Sequence, residues 1–184
     1  MLIKKNTIII RADASVKSGT GHIMRCLALA HAFKRNGEDV CFAVSECPDA
    51  ILKKIQIDSF SVLRIKSKAG SVKDAEETAK FAKKKKSFRI VSDGYHFSDK
   101  YQDTIKKAGL HLFFIDDYGH CKKYCADIIL NQNLYAGAHF YPKSDIFTRF
   151  LLGTQYALLR PEFHHYRHWK REIPEKAKKV LITL

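Results

Sequence analysis

Short apolar runs alternate with longer amphipathic segments along this chain, and no other feature of the sequence limits its fold as much. Residues 7–10 are β-branched and predict a buried strand. Over residues 22–35 the apolar positions recur at steps of three and four, which predicts a helix that ends just before Gly37. Similar apolar runs predict further strands over 40–44, 61–65, 88–91, 112–115, 127–130 and 150–152.

Two more helices are predicted further along the chain, the first of them from the residues at its start. Ser71 is followed three residues later by Asp74, which is the pattern of a capping box. Acidic residues come early and lysines late in the segment that follows, as the helix dipole favours, so the lysine run 83–86 is interpreted as a solvated helix end. Another helix is predicted over 98–107. Strand–helix alternation at this spacing predicts an α/β fold built on a doubly wound parallel sheet.

Ligands of a doubly wound sheet bind beyond the carboxyl ends of its strands. The segments 11–21, 93–97, 116–120 and 131–133 each follow a predicted strand and carry polar residues or glycine. We therefore expect these four segments to meet at that edge of the sheet and to supply the binding site.

The chain of 184 residues carries 33 Lys and Arg against 19 Asp and Glu, a formal net charge of +14. Such a surface attracts anions, which include phosphorylated small molecules, nucleic acids and acidic membranes. Its basic residues are dispersed over predicted helices and are not interleaved with exposed aromatic residues. This distribution does not favour a nucleic-acid-binding module.

The sequence contains no run of the ~20 apolar residues that a membrane-spanning helix needs. The apolar run after the first lysines is too short for the core of a signal peptide. Five scattered cysteines, an odd number, favour reduced thiols over a disulfide framework. These features predict a cytoplasmic protein without a membrane span.

The segment Gly19-Thr20-Gly21-His22 is the most informative local motif. Its glycines allow a ligand to approach the backbone, and the helix that follows presents free N–H groups to an anion. A dinucleotide-binding fingerprint requires glycine where Met24 stands, so the motif does not favour NAD. The position of His22 at a helix start suits a general base, and it equally suits a histidine that only lines the loop.

Other polar residues in these segments also have two interpretations each. Asp13 and Ser15 could orient the His22 ring or a substrate hydroxyl, or they could stabilise a turn. Asp93 could bind a sugar hydroxyl or cap the next segment. Tyr95 could supply a phenol to the site or simply pack.

Two clusters resemble metal sites without favouring one. The adjacent carboxylates Asp116 and Asp117 are explained by turn and N-cap roles more often than by a divalent cation. His164, His165 and His168 have no cysteine nearby, and an exposed, partly aromatic helix near a domain linker explains them better than zinc. No metal or other cofactor is therefore expected.

Several segments carry a family resemblance when taken together. They are Arg11-Ala12-Asp13-Ala14-Ser15, Gly19-Thr20-Gly21-His22, Met24 to Ala30, Asp93-Gly94-Tyr95, Ile115-Asp116-Asp117, Asp127 to Asn133 and Leu152 to Phe163. As a set they resemble the N-terminal half of the UDP-2,4-diacetamido-2,4,6-trideoxy-β-L-altropyranose hydrolases of bacterial pseudaminic acid biosynthesis. The resemblance extends over nearly the whole chain.

The resemblance implies a Rossmann-like domain, the N-terminal half of a two-domain glycosyltransferase-B-like (MurG-like) fold. Residues 1–175 would form the sugar-binding and catalytic domain, and residues 176–184 would begin a nucleotide-binding domain. Residues 178–184 are interpreted as a charged lead-in to a buried strand, the first strand of that second domain. Without the second domain, the chain is expected to bind the UDP-sugar poorly and to show weak or no activity.

The activity implied by the resemblance is hydrolysis of the sugar–UDP bond with inversion at the anomeric carbon, for surface glycans or flagellin glycosylation. The family's catalytic histidine falls on His22, and its tyrosine falls on Tyr95. We expect substrate contacts from the remaining polar and glycine positions of the rim, which are Arg11, Asp13, Ser15, Gly19, Gly21, Asp93, Asn131 and Asn133. The alternatives are a nucleotide-sugar glycosyltransferase of similar architecture, such as the spore-coat polysaccharide proteins, a nucleic-acid-binding module, and a non-catalytic remnant.

Overall fold

Seven parallel strands form one sheet in the computed structural model, which describes residues 7–177 and 179–182. The strands are β1 (Thr7–Ala12), β2 (Asp39–Val44), β3 (Ser61–Arg64), β4 (Arg89–Asp93), β5 (His111–Ile115), β6 (Ile128–Asn131) and β7 (Arg149–Leu152). Their order across the sheet is β3-β2-β1-β4-β5-β6-β7. The helices are α1 (Gly21–Arg35), α2 (Asp49–Ile57), α3 (Val72–Lys84) and α4 (Asp99–Lys107). The predicted α/β fold with a doubly wound parallel sheet is confirmed.

The two faces of the sheet are covered by different helices because side chains alternate along each strand. Ile8 and Ile10 of β1 pack in the core beneath α1 and α2. Ile9 points the other way, into the core beneath α3 and α4. Both cores are apolar, which is why β1 is a continuous hydrophobic run, as expected of a central parallel strand.

The predicted cap at Ser71 is formed, and Ser98 caps the helix predicted over 98–107 in the same way. The Ser71 hydroxyl accepts a hydrogen bond from the Asp74 amide at 3.2 Å, and the Ser98 hydroxyl accepts one from the Tyr101 amide at 3.4 Å. Helix α2 was not expected from the sequence. Its signal was present, since Ile51, Leu52 and Ile55 recur at helical spacing after a proline, but the helix is short.

The direction in which the chain adds strands to the sheet reverses between β1 and β4. From β1 the chain moves outwards through β2 to β3, and then returns to place β4 on the opposite side of β1. Ala12 at the end of β1 is paired with Asp93 at the end of β4. This is the topological switch point, where doubly wound sheets form their ligand crevice.

The connections after β5 are irregular, with a short 3-10 turn at Ala138–Phe140. After β7, 3-10 turns at Thr154–Tyr156 and Pro161–Tyr166 replace the predicted histidine-rich helix. None of the helices within the described ranges is both long and apolar enough to cross a membrane.

Residues 179–182 are the described part of the strand that is predicted to begin a second domain, and that domain remains a prediction. Val180, Leu181 and Ile182 are exposed and have no strand assignment. A strand needs a neighbour to accept its backbone hydrogen bonds, and these residues pair with neither edge of the sheet. Lys178, Thr183 and Leu184 lie outside the described residues.

A buried ion pair fixes α3 to the sheet. Arg11 of β1 donates from Nε and Nη2 to the two carboxylate oxygens of Asp74, at 3.0 and 2.9 Å, and both side chains are fully buried. Asp74 also accepts bonds from the Gly70 amide and the Thr78 hydroxyl. Removing one partner of such a pair leaves a buried charge without compensation, which is far more costly than losing a surface pair.

We expect Asp74→Asn to lower the free energy of unfolding by about 3 kcal/mol, because it leaves the Arg11 guanidinium short of a counter-charge. Urea denaturation followed by circular dichroism measures the change. Glu76→Gln, an exposed change on the same helix, is the matched control and should alter stability by less than about 0.5 kcal/mol. Equal effects of the two substitutions would contradict this role of the pair.

Candidate active site at the switch point

A cavity of about 320 Å³ opens at the switch point, beyond the carboxyl ends of β1 and β4. Its position agrees with the general location of ligand crevices in doubly wound sheets. The loops after β1, β4, β5 and β6 and the first turn of α1 supply its lining, which consists of Ser18, Gly21, His22, Arg25, Tyr95, Asp117 and Gln132.

His22 is held in one orientation by Asp93. The ring nitrogen Nδ1 lies 2.7 Å from Oδ1 of Asp93, whose side chain is completely buried. Nη2 of Arg25 also lies 3.3 Å from Nδ1, but the contact with Asp93 is much shorter, and an ionised carboxylate can only accept a hydrogen bond, so Nδ1 carries the proton and donates it to Asp93. This leaves Nε2 as the ring nitrogen that is able to accept a proton.

Arg25 lies one helical turn after His22 and connects two carboxylates. Its Nε and Nη2 donate to Asp93 at 2.8 and 2.6 Å. Its Nη1 and Nη2 donate to Asp117 at 2.7 and 3.2 Å. The planar guanidinium thus forms a forked contact with each acid, the geometry that gives arginine–carboxylate pairs their strength.

Tyr95 stands against both His22 and Asp117. Its ring meets the imidazole edge to face, with 4.7 Å between the ring centroids. Its hydroxyl donates to Oδ2 of Asp117 at 2.8 Å. Burial and this bond to a negative charge raise the pKa of Tyr95 to about 12, so the phenol stays protonated at neutral pH.

The loop after β5 is shaped by Asp116, which lies next to Asp117 but is fully buried. Oδ1 of Asp116 accepts from the amides of Tyr118 and Gly119 and lies 3.1 Å from Nδ1 of His120. Burial alone would raise the pKa of this carboxyl, but the bonds from His120 and Tyr124 outweigh it and lower the pKa to about 2. Of the two adjacent acids, Asp116 therefore serves the turn, and Asp117 faces the cavity.

Three of the predicted site residues line the cavity, namely Gly21, His22 and Tyr95. Asp93 lies behind His22 and contacts its ring instead of the open cavity. Ser15 and Gly19 form a small exposed turn beside the cavity, where the Ser15 and Ser18 hydroxyls are 2.9 Å apart.

Arg11 and Asp13 are placed away from the cavity. Arg11 lies two residues after Ile9 in β1, so its side chain points to the same face of the sheet, beneath α3 and away from α1. Asp13 accepts bonds from the amides of Ser45 and Glu46 after β2 and pairs with Arg11 at 2.8 Å. Burial alone would raise the pKa of Asp13, but bonds from His96 and Arg11 hold it well below its ordinary value. Both residues join the loops that surround the site.

Asn131 and Asn133 support the cavity wall from behind. Nδ2 of the buried Asn131 donates to the backbone carbonyl of Asp117 at 3.0 Å. Asn133 donates to the Asp117 side chain at 3.1 Å. These two residues fix Asp117, and Gln132 between them reaches the cavity.

The prediction of site residues did not include Arg25, Asp117, Ser18 or Gln132. A signal existed for Arg25, because a residue three positions after His22 lies on the same helix face. A signal existed for Asp117 in its position after a predicted strand. Within residues 7–177 and 179–182, no three His, Cys, Asp or Glu side chains are grouped to hold a metal ion.

Comparison with known proteins relates the chain to an enzyme that acts on a UDP-sugar. It is 29% identical over 167 residues to the UDP-2,4-diacetamido-2,4,6-trideoxy-β-L-altropyranose hydrolase of Campylobacter jejuni, covering 90% of this chain and 56% of that protein. It is 24% identical over 182 residues to an uncharacterized protein of Methanocaldococcus jannaschii, covering 96% of this chain and 36% of that protein. No protein-family model matches. The predicted resemblance to the hydrolase is confirmed, and the chain spans little more than half the length of the hydrolase and about a third of the length of the Methanocaldococcus jannaschii protein.

The fold is similar to that of MurG from Acinetobacter baumannii. The TM-score is 0.51 with 11% sequence identity, over 79% of this chain and 45% of the MurG chain. The predicted Rossmann-like fold class of the MurG-like, glycosyltransferase-B-like kind is confirmed by this likeness. At such low identity the likeness concerns the fold alone.

The ion pair between His120 and Asp116 should make stability depend on pH. Burial alone would lower the pKa of His120, but its bond to Asp116 outweighs burial and raises the pKa to about 10. The stabilisation is complete below the unfolded pKa of about 6.5 and is lost as pH rises towards 10. We expect His120→Gln to cost about 2 kcal/mol at pH 6 and little at pH 10.5.

Urea denaturation of the wild type and of His120→Gln across this pH range gives the difference between their free energies of unfolding. Lysines and tyrosines titrate in both proteins, so their contribution cancels from this difference. His111→Gln removes an exposed histidine that also faces an aspartate, and it should cost less than about 0.5 kcal/mol. A cost for His120→Gln that is the same at pH 6 and pH 10.5 would contradict the assignment.

Proposed function

We propose that this chain is the N-terminal catalytic domain of a hydrolase that releases UDP from UDP-2,4-diacetamido-2,4,6-trideoxy-β-L-altropyranose, with inversion at the anomeric carbon, in pseudaminic acid biosynthesis. The observation that carries the proposal is the orientation of His22 by Asp93 at the wall of the switch-point cavity. Likeness to the Campylobacter jejuni enzyme supports the choice of substrate.

His22 acts as the general base in this proposal. Its Nδ1 proton is held by Asp93, so Nε2 accepts a proton from a water molecule as the water attacks the anomeric carbon. Asp93 then stabilises the imidazolium that forms, without itself becoming protonated. UDP departs with the electron pair of the glycosidic bond, and attack on the opposite face of the sugar inverts the anomeric centre.

Tyr95 positions the water. Its hydroxyl proton is committed to Asp117, so its oxygen is left to accept a second hydrogen bond from the water held by His22. With a pKa of about 12 the phenol remains neutral and does not compete as a base. Two acceptors on one water direct its lone pair towards the sugar, which is the advantage of a fixed near-attack geometry.

A second domain, beginning at residues 176–184, supplies most of the nucleotide-binding surface in this proposal. The relatives extend well beyond the matched part, which supports such a domain. The amide groups at the start of α1 and the absence of acidic residues from its first turn make this end of the helix compatible with the departing diphosphate.

Phosphorus NMR tests the reaction in the two-domain protein and in this chain alone, with the UDP-sugar and no acceptor present. We expect the two-domain protein to release UDP, this chain alone to release little or none, and proton NMR to show the inverted anomer of the free sugar first. Release of UDP that requires an added acceptor would overturn the hydrolase and indicate a nucleotide-sugar glycosyltransferase.

His22→Gln should lower kcat of the two-domain protein by about 10³-fold, since a general base contributes about 10²–10⁴. UDP affinity, measured by calorimetry, should change less than about twofold, because the base does not hold the nucleotide. The matched control is His31→Gln on the same helix, whose ring pairs with Asp58 away from the cavity. Retention of more than about a tenth of the activity by His22→Gln would contradict the role of His22.

A further inference from the structure

Arg25 joins the two residues that carry the proposed chemistry. Through Asp93 it reaches His22, and through Asp117 it reaches Tyr95. Its side chain is only 12% exposed, so these bonds are largely shielded from water. It comes from α1, whereas Asp93 ends β4 and Asp117 follows β5, so one side chain connects three elements at the switch point.

We infer that Arg25 is a positioning residue that fixes the Asp93 carboxylate and thereby holds His22 in its Nδ1–H tautomer. The inference rests on the proposed function for its kinetic meaning, because the tautomer matters where Nε2 must accept a proton. The geometric part concerns this chain alone and does not depend on the identity of the substrate.

Every oxygen of Asp93 is occupied by a described neighbour. Oδ1 receives His22 and Arg25, at 2.7 and 2.6 Å, and Oδ2 receives Arg25 at 2.8 Å and the Cys26 thiol at 3.5 Å. Two of these bonds come from the rigid guanidinium, so the carboxylate plane has one orientation. In that orientation Oδ1 faces Nδ1 of His22, and the carboxylate has no oxygen left for a sugar.

The charge of Arg25 also balances Asp93. Burying a carboxylate without a cation nearby is energetically costly. Without Arg25, the negative charge of Asp93 would favour protonation of the neighbouring imidazole. An imidazolium has no lone pair and cannot act as a base. With the guanidinium in contact, Asp93 has a cationic partner that does not depend on protonation of the ring.

Asp117 anchors the other side of the guanidinium. Its oxygens accept from Arg25, from Tyr95 at 2.8 Å and from Asn133 at 3.1 Å. Burial alone would raise the pKa of Asp117, but the bonds from Arg25 outweigh it and lower the pKa. Arg25 therefore has a charged partner on each side, and a shift of its side chain would displace both His22 and Tyr95.

A lysine would not reproduce this arrangement. The guanidinium presents several donors in one plane and contacts two carboxylates with forked bonds, whereas an ammonium is a compact point charge. Arg25→Lys keeps the charge and the helix propensity but loses at least one of the forked contacts. It is therefore a conservative variant that tests geometry separately from charge.

The first experiment uses nitrogen NMR of the 184-residue chain labelled in its histidine rings, with His22 assigned by comparison with His22→Gln. We expect the wild type to show His22 as the Nδ1–H tautomer alone. Arg25→Lys and Arg25→Ala should each show mixed tautomers or the charged ring at the same pH. Arg35→Lys, an exposed change at the end of the same helix, should leave the spectrum unchanged.

The second experiment measures kinetics in the two-domain protein. Arg25→Lys should lower kcat about 30-fold with KM within about threefold, because the water and the base are misaligned while the substrate contacts remain. In Arg25→Ala the acid limb of the pH–rate profile should move to higher pH, and ethylguanidinium added to that variant should restore part of kcat. A role limited to folding predicts neither the moved limb nor the rescue.

The outcomes separate this inference from the proposed function. An unchanged His22 spectrum in folded Arg25→Lys and Arg25→Ala would overturn the positioning role, whatever the activity. A wild-type protein that does not hydrolyse the UDP-sugar would overturn the proposed function, while the spectrum would still decide the role of Arg25. If Arg25→Ala does not fold, Arg25→Lys alone decides, since it keeps the buried positive charge.

Discussion

The buried carboxylate of Asp93 is the constraint on which the site depends. It lies at the end of β4 with no exposure to water, so its charge requires partners. His22 and Arg25 provide them from consecutive turns of α1. This requirement fixes the start of α1 against the end of β4, and it holds the imidazole of His22 at the cavity, where the ring of Tyr95 meets it edge to face.

A second network of buried ion pairs lies on the other face of the sheet, at the same carboxyl-terminal edge. Arg11 pairs with Asp74 beneath α3 and with Asp13, which in turn receives the amides after β2. The strand alternation of β1 sends Arg11 to one face, and that of β4 sends Asp93 to the other. The loops around the cavity are therefore fixed from both sides of the sheet, which suits a site that must hold its groups at defined distances.

The secondary structure was largely predictable because it follows from local patterns. The strands, the helix over 22–35 and the caps at Ser71 and Ser98 rest on periodicity and on short-range hydrogen bonds. The prediction missed one helix, where the local signal was short. Helix α2 spans only nine residues, too few for its apolar spacing to be distinguished from that of a loop.

The sequence by itself determined that polar segments would gather at one edge of a parallel sheet, and that His22 would begin a helix there. Only the tertiary structure decided which side chains meet. Arg25 contacts acids 68 and 92 residues later in the chain, pairings that no local pattern specifies. The physical reason is that the order of the strands, and the alternation of side chains along each strand, set the face to which each polar side chain points. Both depend on the packing of the whole sheet.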